Sequence, residues 1–217
     1  MNRPLMDRLL LALAAGDSLG STSEFVRQKE IPQLYEKLRP GGWPFRQVGG
    51  GHFRWPAGAP TDDTDMALCL VRSALKYGEF DGEDVAQRFV AWLDRAPKDA
   101  GMTTIRTLSA VREGVPWHRG ALANFAMDPG NAANGSLMRN GVVAGIGDDL
   151  PDAWRISILH SLITHYAPLP VLCCAAQTWL ILELLGTFSK TPTRWLSTRL
   201  RPPASMASAN SPSRIPS

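Results

Sequence analysis

Cysteine is scarce in this chain of 217 residues, and its pattern argues against two classes of protein. Cys69, Cys173 and Cys174 are odd in number and form no C-x-x-C pair. Neither a disulfide framework nor a cysteine-ligated zinc site suits that arrangement; buried, reduced thiols in a cytoplasmic protein are expected. Alternating β-branched runs are missing, which argues against a sheet. A long clean apolar run is missing too. The most hydrophobic stretch, residues 167–185, contains Pro168, Pro170, Gln177 and Glu183. It is shorter than the ~20 apolar residues a membrane span needs, so a buried helix is expected and no membrane partner. Residues 9–15 are apolar, but Asp7, Arg8 and Asp17 flank them, with no basic leader or cleavage site, so they do not read as a signal peptide. Acid is absent from residues 186–217, which carry Lys190, Arg194, Arg199, Arg201 and Arg214. The formal charge of +3 therefore belongs to the tail, and residues 1–185 carry 18 basic against 20 acidic residues. The pI near 8.9 is accordingly no sign of a nucleic-acid surface.

The composition that remains is globular, with 44% hydrophobic and 20% charged residues in a length that suits one domain. Helical periodicity dominates. Leu5, Leu9, Leu10, Leu13 and Ala14 share one face, with Gly16 as the expected stop. Met66, Leu70, Val71, Ala74 and Leu75 do the same behind Thr61. Val85, Phe89, Val90 and Leu93 follow the cap candidates Asp81 and Asp84, and Pro97 closes that segment. Ile105, Leu108 and Val111 make a short helix, and Ile156, Leu159, Leu162 and Ile163 follow Pro151 and Asp152. Residues 171–185 are apolar on nearly all sides, which implies neighbours on several faces. The pattern predicts a compact all-α domain of six or seven helices over residues 1–185. Two stretches do not fit a helix. Residues 40–60 hold six glycines and four prolines among Trp43, Phe45, Phe53 and Trp55, a long loop of the kind that is often functional. Residues 128–136 are the other. Residues 186–217 are rich in Ser, Pro, Thr and Arg, read as disordered, and look like out-of-frame translation.

Four local patterns could carry chemistry. Thr61-Asp62-Asp63-Thr64-Asp65 stands where the Gly/Pro loop enters a helix. Its hard oxygens suit Mg²⁺, Mn²⁺ or Ca²⁺. A Thr N-cap followed by acids is equally ordinary helix-start chemistry, so spacing alone leaves both readings open. The D-D-x-x-D pattern of prenyl-diphosphate enzymes fails at Met66. Gly16-Asp17-Ser18-Leu19-Gly20 allows a tight turn after the first helix, and Glu24 could reach back over the helix end or lie solvated at the surface. Gly130 to Arg139, with Asn131, Asn134, Gly135 and Ser136, offers small residues and amides that could meet a phosphate or ribose, or could be a plain loop and cap. Thr164-His165 closes a helix, where the dipole favours a histidine for structural reasons alone.

Taken together and in this order, these patterns resemble the ADP-ribosylglycohydrolase family: Gly16-Asp17-Ser18-Leu19-Gly20 with Glu24, Thr61-Asp62-Asp63-Thr64, Asn134-Gly135-Ser136-Leu137-Met138-Arg139, then Thr164-His165. The resemblance spans residues 5–185. It implies a compact all-α fold with a dinuclear metal centre, usually Mg²⁺ and sometimes Mn²⁺. It implies an ADP-ribosylated protein or small molecule as substrate, most often an arginine N-glycosidic bond. In family terms Thr61, Asp62 and Asp63 are metal ligands, with Asp62, Asp63 and Glu24 in the catalytic group. Asn131 or Asn134, with Gly135, Ser136 and His165, would bind substrate. Two departures stand out. An Ala-Ala pair separates Asn131 from Asn134, and the family's later D-x-D-T ligand group is absent from these 217 residues. The expectation is therefore a hydrolase impaired by truncation; an inactive ADP-ribose-binding or metal-binding relative and a helical interaction module are the competing readings.

Overall fold

A computed structural model describes residues 3–38 and 47–186. Trp43, Phe45 and the tail from 187 onward lie outside the described residues. Of the described residues, those up to Ile181 belong to one compact unit, and residues 182–186 fall outside it. The described residues contain eight α-helices and no strand, only an isolated bridge between Gly50 and Trp55. The helices are α1 (Arg3–Gly20), α2 (Ile31–Leu38), α3 (Asp62–Tyr77), α4 (Gly82–Leu93), α5 (Met102–Arg112), α6 (Trp117–Met127), α7 (Leu150–Leu162) and α8 (Pro168–Leu184). A 3₁₀ segment, Asn140–Gly145, precedes α7. The all-α reading holds. Helices α2, whose Ile31, Leu34, Tyr35 and Leu38 share one face, and α6 were not foreseen from sequence.

Cap chemistry sets several boundaries. Asp81 accepts from the Asp84 amide (2.9 Å) to start α4, and Asp149 accepts from the Asp152 amide (2.8 Å) to start α7, with Pro151 in its first turn. Gly78 ends α3 in the left-handed conformation at φ 80°. Gly16 does not stop α1, which runs to Gly20. A mid-helix glycine costs about 1 kcal/mol against alanine, and tertiary contacts made by the last turn outweigh it. Gly51, at φ 69°, lets the loop that follows α2 touch the turn after α1: a Cβ there would lie 2.3 Å from the Ser21 carbonyl oxygen.

Helix α3 is central, packing on α1, α4 and the 3₁₀ segment, while α4 packs on α5 and α5 on α6. Met66, Leu70, Val85, Phe89, Leu108, Val142, Val143, Ile156 and Ile163 fill the core between them. A polar network joins α7 to α8. Asn140 Nδ2 donates to the Cys174 carbonyl (2.9 Å), Gln177 Oε1 (2.9 Å) and Thr178 Oγ1 (3.0 Å). That fixes its Oδ1 as the acceptor for His160 Nε2 at 2.8 Å.

Helix α8 departs from expectation. Only a stripe of Pro170, Cys174 and Thr178 is buried in the first unit, whereas Leu172 is 66% and Leu180 51% exposed, beside exposed Leu169 and Trp179. All-round apolarity thus does not translate into burial on every face; Leu169, Leu172, Trp179 and Leu180 stay exposed. Exposed apolar surface of this kind binds solvatochromic dyes and promotes association. The folded protein is expected to enhance anilinonaphthalene sulfonate fluorescence, and Leu172→Glu/Leu180→Glu to reduce that signal without lowering helicity; unchanged dye binding in the double variant would place the apolar surface elsewhere.

Candidate active site

The start of α3 is built by a residue from α1. Thr61 is the N-cap but makes no cap bond with its own side chain. Asp17 replaces it. Its carboxylate accepts from the Thr61 amide (2.8 Å), Thr61 Oγ1 (2.7 Å), the Thr64 amide (3.2 Å) and Thr64 Oγ1 (2.6 Å). A carboxylate at a helix N-terminus satisfies orphan amides and the dipole together. Here it also fixes the orientation of the two residues between the threonines, Asp62 and Asp63. This explains why α1 continues through Gly16: its last turn must carry Asp17 to α3.

A cleft of about 510 Å³ opens over this junction. Asp17, Glu24, Thr61, Asp62, Asp63 and Asp99 lie along one part of its lining, and Asn134, Gly135, Met138 and His165 along another. No lysine or arginine lines it among the described residues. Burial, then repulsion from Asp99 and Asp63, pushes Asp62 up to about 7. Burial, then Asp17, pushes Asp63 up to about 6. Glu24 is raised by burial and by Asp99, Asp63 and Asp17. Asp99 is raised chiefly by burial. These carboxylates thus share one electrostatic environment. Among the described residues, no three His, Cys, Asp or Glu side chains converge as a ready-made metal cage. Asp65, the last acid of the run, points away, accepting from Trp92 Nε1 at 3.2 Å.

The loop on the other side is held from behind by Arg139. This fully buried guanidinium donates to the Gly135 and His160 carbonyls and to Thr164 Oγ1 (2.7 Å), over the Phe89 ring at 4.7 Å. Gly135 is required by space: a Cβ there would lie 2.7 Å from His165 Cε1. The cleft therefore brings together Glu24, Thr61, Asp62, Asp63, Asn134, Gly135 and His165. Two sequence candidates fall outside its lining. Ser136 is buried and its Oγ accepts from Ser161 Oγ at 2.8 Å, tying the loop to α7. Asn131 donates to Thr103 Oγ1 (2.9 Å) in a small adjoining pocket with Phe125, Asp128 and Tyr166. Among the lining residues that escaped the sequence reading, three bear on the chemistry. Asp17 was visible in its glycine motif but read as part of a turn. Asp99 sits in no pattern. Phe25, 73% exposed at φ 63°, adds an aromatic face to the cleft.

An all-α domain with an acid-lined cleft at the start of its central helix is the class these features define. The family model for ADP-ribosylglycohydrolase matches residues 4–209. The ADP-ribosylarginine hydrolase Tri1 of Pseudomonas putida (strain GB-1) is 36% identical over 186 residues, 80% of this chain and 46% of that protein. The ADP-ribosyl-dinitrogen-reductase glycohydrolase of Rhodospirillum rubrum is 34% identical over 180 residues, 81% of this chain and 56% of that one. A solved structure described as an ADP-ribosylglycohydrolase-related protein complex superposes with a TM-score of 0.65 at 30% identity, covering 83% of this chain and 57% of its own. The chain belongs to the ADP-ribosylglycohydrolase family, and it spans about half the length of these curated relatives. No helix among the described residues is long and apolar enough to cross a membrane.

Two outcomes follow from this geometry. Asp17→Ala removes the shared acceptor of four donors, and should cost about 2–4 kcal/mol in urea unfolding; a loss below ~0.5 kcal/mol would show the cap to be dispensable. The raised carboxylates favour their protonated forms in the folded state. Their stabilising contribution is present below the unfolded value of 3.8 and is lost as pH rises through about 6 to 7. With chelator present, Asp62→Asn should therefore raise the melting temperature at pH 8 and leave it nearly unchanged at pH 4. A lowered melting temperature at pH 8 would contradict the electrostatic account.

Proposed function

We propose that this cleft serves a divalent-cation-dependent hydrolase that removes ADP-ribose from a modified acceptor, an arginine held by an N-glycosidic bond. The observation that carries this reading is the single cleft combining crowded carboxylates, without lysine or arginine, with a small-residue loop and a histidine. Family membership and the names of the relatives support the substrate class.

Asp62, Asp63 and Thr61 offer hard oxygen donors, and raised carboxylates with no cationic side chain among them are the chemistry a divalent ion satisfies. Mg²⁺ accepts one or two carboxylates and keeps several waters, so the absence of a three-residue cage fits Mg²⁺ better than a fully enclosed ion. When bound, the ion would neutralise charge and lower the pKa of a bound water. Two metals are the family expectation; the residues present supply one group of ligands and no D-x-D-T group. Glu24, made more basic by burial and by its acidic neighbours, is the carboxylate we assign to take the proton of the attacking water. Cleavage at a ribosyl carbon builds oxocarbenium character, which a carboxylate-rich wall stabilises. Asn134, Gly135 and His165 line the cleft where polar oxygens of ADP-ribose would lie, and Phe25 offers a face to a planar group.

The test is hydrolysis of ADP-ribosyl-arginine with Mg²⁺ or Mn²⁺, following release of ADP-ribose. Turnover at least ~10³ slower than a two-metal relative is expected, since each 1.36 kcal/mol of lost transition-state stabilisation is tenfold. Asp62→Asn should abolish what remains. Turnover at the full family rate that vanishes in Asp62→Asn would overturn the single-ion part. ADP-ribose binding without turnover would favour an inactive relative, and failure to bind both ADP-ribose and Mg²⁺ would favour an interaction module.

A further inference from the structure

We propose that Arg139 and Thr164 are positioning residues that lock His165 in its Nε2–H tautomer at the cleft wall, so that this subsite takes a hydrogen-bond-accepting group such as a phosphate or ribose oxygen. A guanidinium has donors only. Arg139 Nη2 donates to Thr164 Oγ1 at 2.7 Å, so that oxygen is an acceptor. The single hydroxyl hydrogen of Thr164 is then free for His165 Nδ1, 2.8 Å away. A ring nitrogen that accepts carries no proton, which puts the proton of the neutral imidazole on Nε2. In the opposite tautomer the Thr164 oxygen would accept from both neighbours, and its own buried hydroxyl hydrogen would be left without an acceptor among the hydrogen bonds this side chain makes.

The Nε2 edge faces the cleft. A Cβ on Gly135 would lie 3.0 Å from Nε2, and His165 shares its lining with Glu24, Asp62 and Asp63. The His165 amide donates to the Ser161 carbonyl of α7 (2.8 Å), anchoring the residue's backbone. Burial, then the Arg139 charge, holds the imidazole down to about 3, so the ring does not acquire a second proton near neutrality. His165 is thereby a permanent single donor and no general acid. Arg139 touches neither cleft nor ligand; it acts through Thr164. The tautomer stands on geometry alone, while the identity of the accepting group rests on the ADP-ribose reading above.

The experiment is long-range ¹H–¹⁵N correlation on the full ¹⁵N-labelled chain, with His165 assigned among the four histidines by His165→Gln. The ligand-free protein should show His165 as the Nε2–H tautomer, without titration from pH 5 to 8. Thr164→Val, nearly isosteric, should yield a tautomer mixture and weaken ADP-ribose binding about tenfold, and Thr164→Ser should restore both. An Nδ1–H signal in the unmodified chain overturns the proposal without need of any variant. An unchanged tautomer in folded Thr164→Val overturns the role of the threonine. The expected tautomer in a chain that binds no ADP-ribose would sink the substrate reading and leave the lock in place.

Discussion

The buried guanidinium of Arg139 is the constraint on which the loop side of this structure depends. A charge taken out of water must find compensation, and no carboxylate is bonded to it here. Compensation comes from the Gly135 and His160 carbonyls, the Thr164 hydroxyl and the Phe89 ring. Those groups belong to the cleft loop, to α7 and the turn after it, and to α4. None can move far without leaving the charge unsolvated. Burial holds the guanidinium down to about 10, still protonated at neutral pH, so the constraint is permanent. The same charge helps keep both His160 and His165 neutral.

Asp17 does the corresponding work on the acidic side. One carboxylate satisfies both hydroxyls and two amides of the threonines that bracket Asp62 and Asp63. The two anchors, one an acceptor and one a donor, are alike in role. The hydrogen bonds of each run inward to the protein, and each holds residues that face the cleft. Cleft-facing groups are thus left free to be strained electrostatically. Asp62, Asp63 and Glu24 repel one another and still stay together, because the backbone beneath the aspartates is pinned by Asp17.

This division of labour runs through the recurring motifs themselves. Within Asn134 to Arg139, Gly135 faces the cleft, Ser136 bonds Ser161, and Arg139 supports the loop from behind. Within Thr164-His165, the threonine is wholly buried and the histidine reaches the wall. A motif is therefore a site residue together with its supports, and residue type does not distinguish the two. Ser136 and Asn134 are equally polar, yet only Asn134 lines the cleft.

Sequence by itself determined the helical class and several helix starts, because amphipathic periodicity and Asp or Pro caps are local physics that act within one turn. It also pointed to segments whose residues line the cleft, since glycines and acids at fixed spacing survive in the one-dimensional pattern. Tertiary structure alone decided the rest. Asp17 caps α3 across 44 residues of sequence separation, Asp99 joins the carboxylates from a loop with no motif, and Asp65 turns away to Trp92 although it stands two residues from Asp63. Helix α8 shows the same limit: its composition predicts burial on every face, while its exposure was decided by which neighbours pack against it. Convergence in space and burial are properties of the packed chain, and no local pattern encodes either.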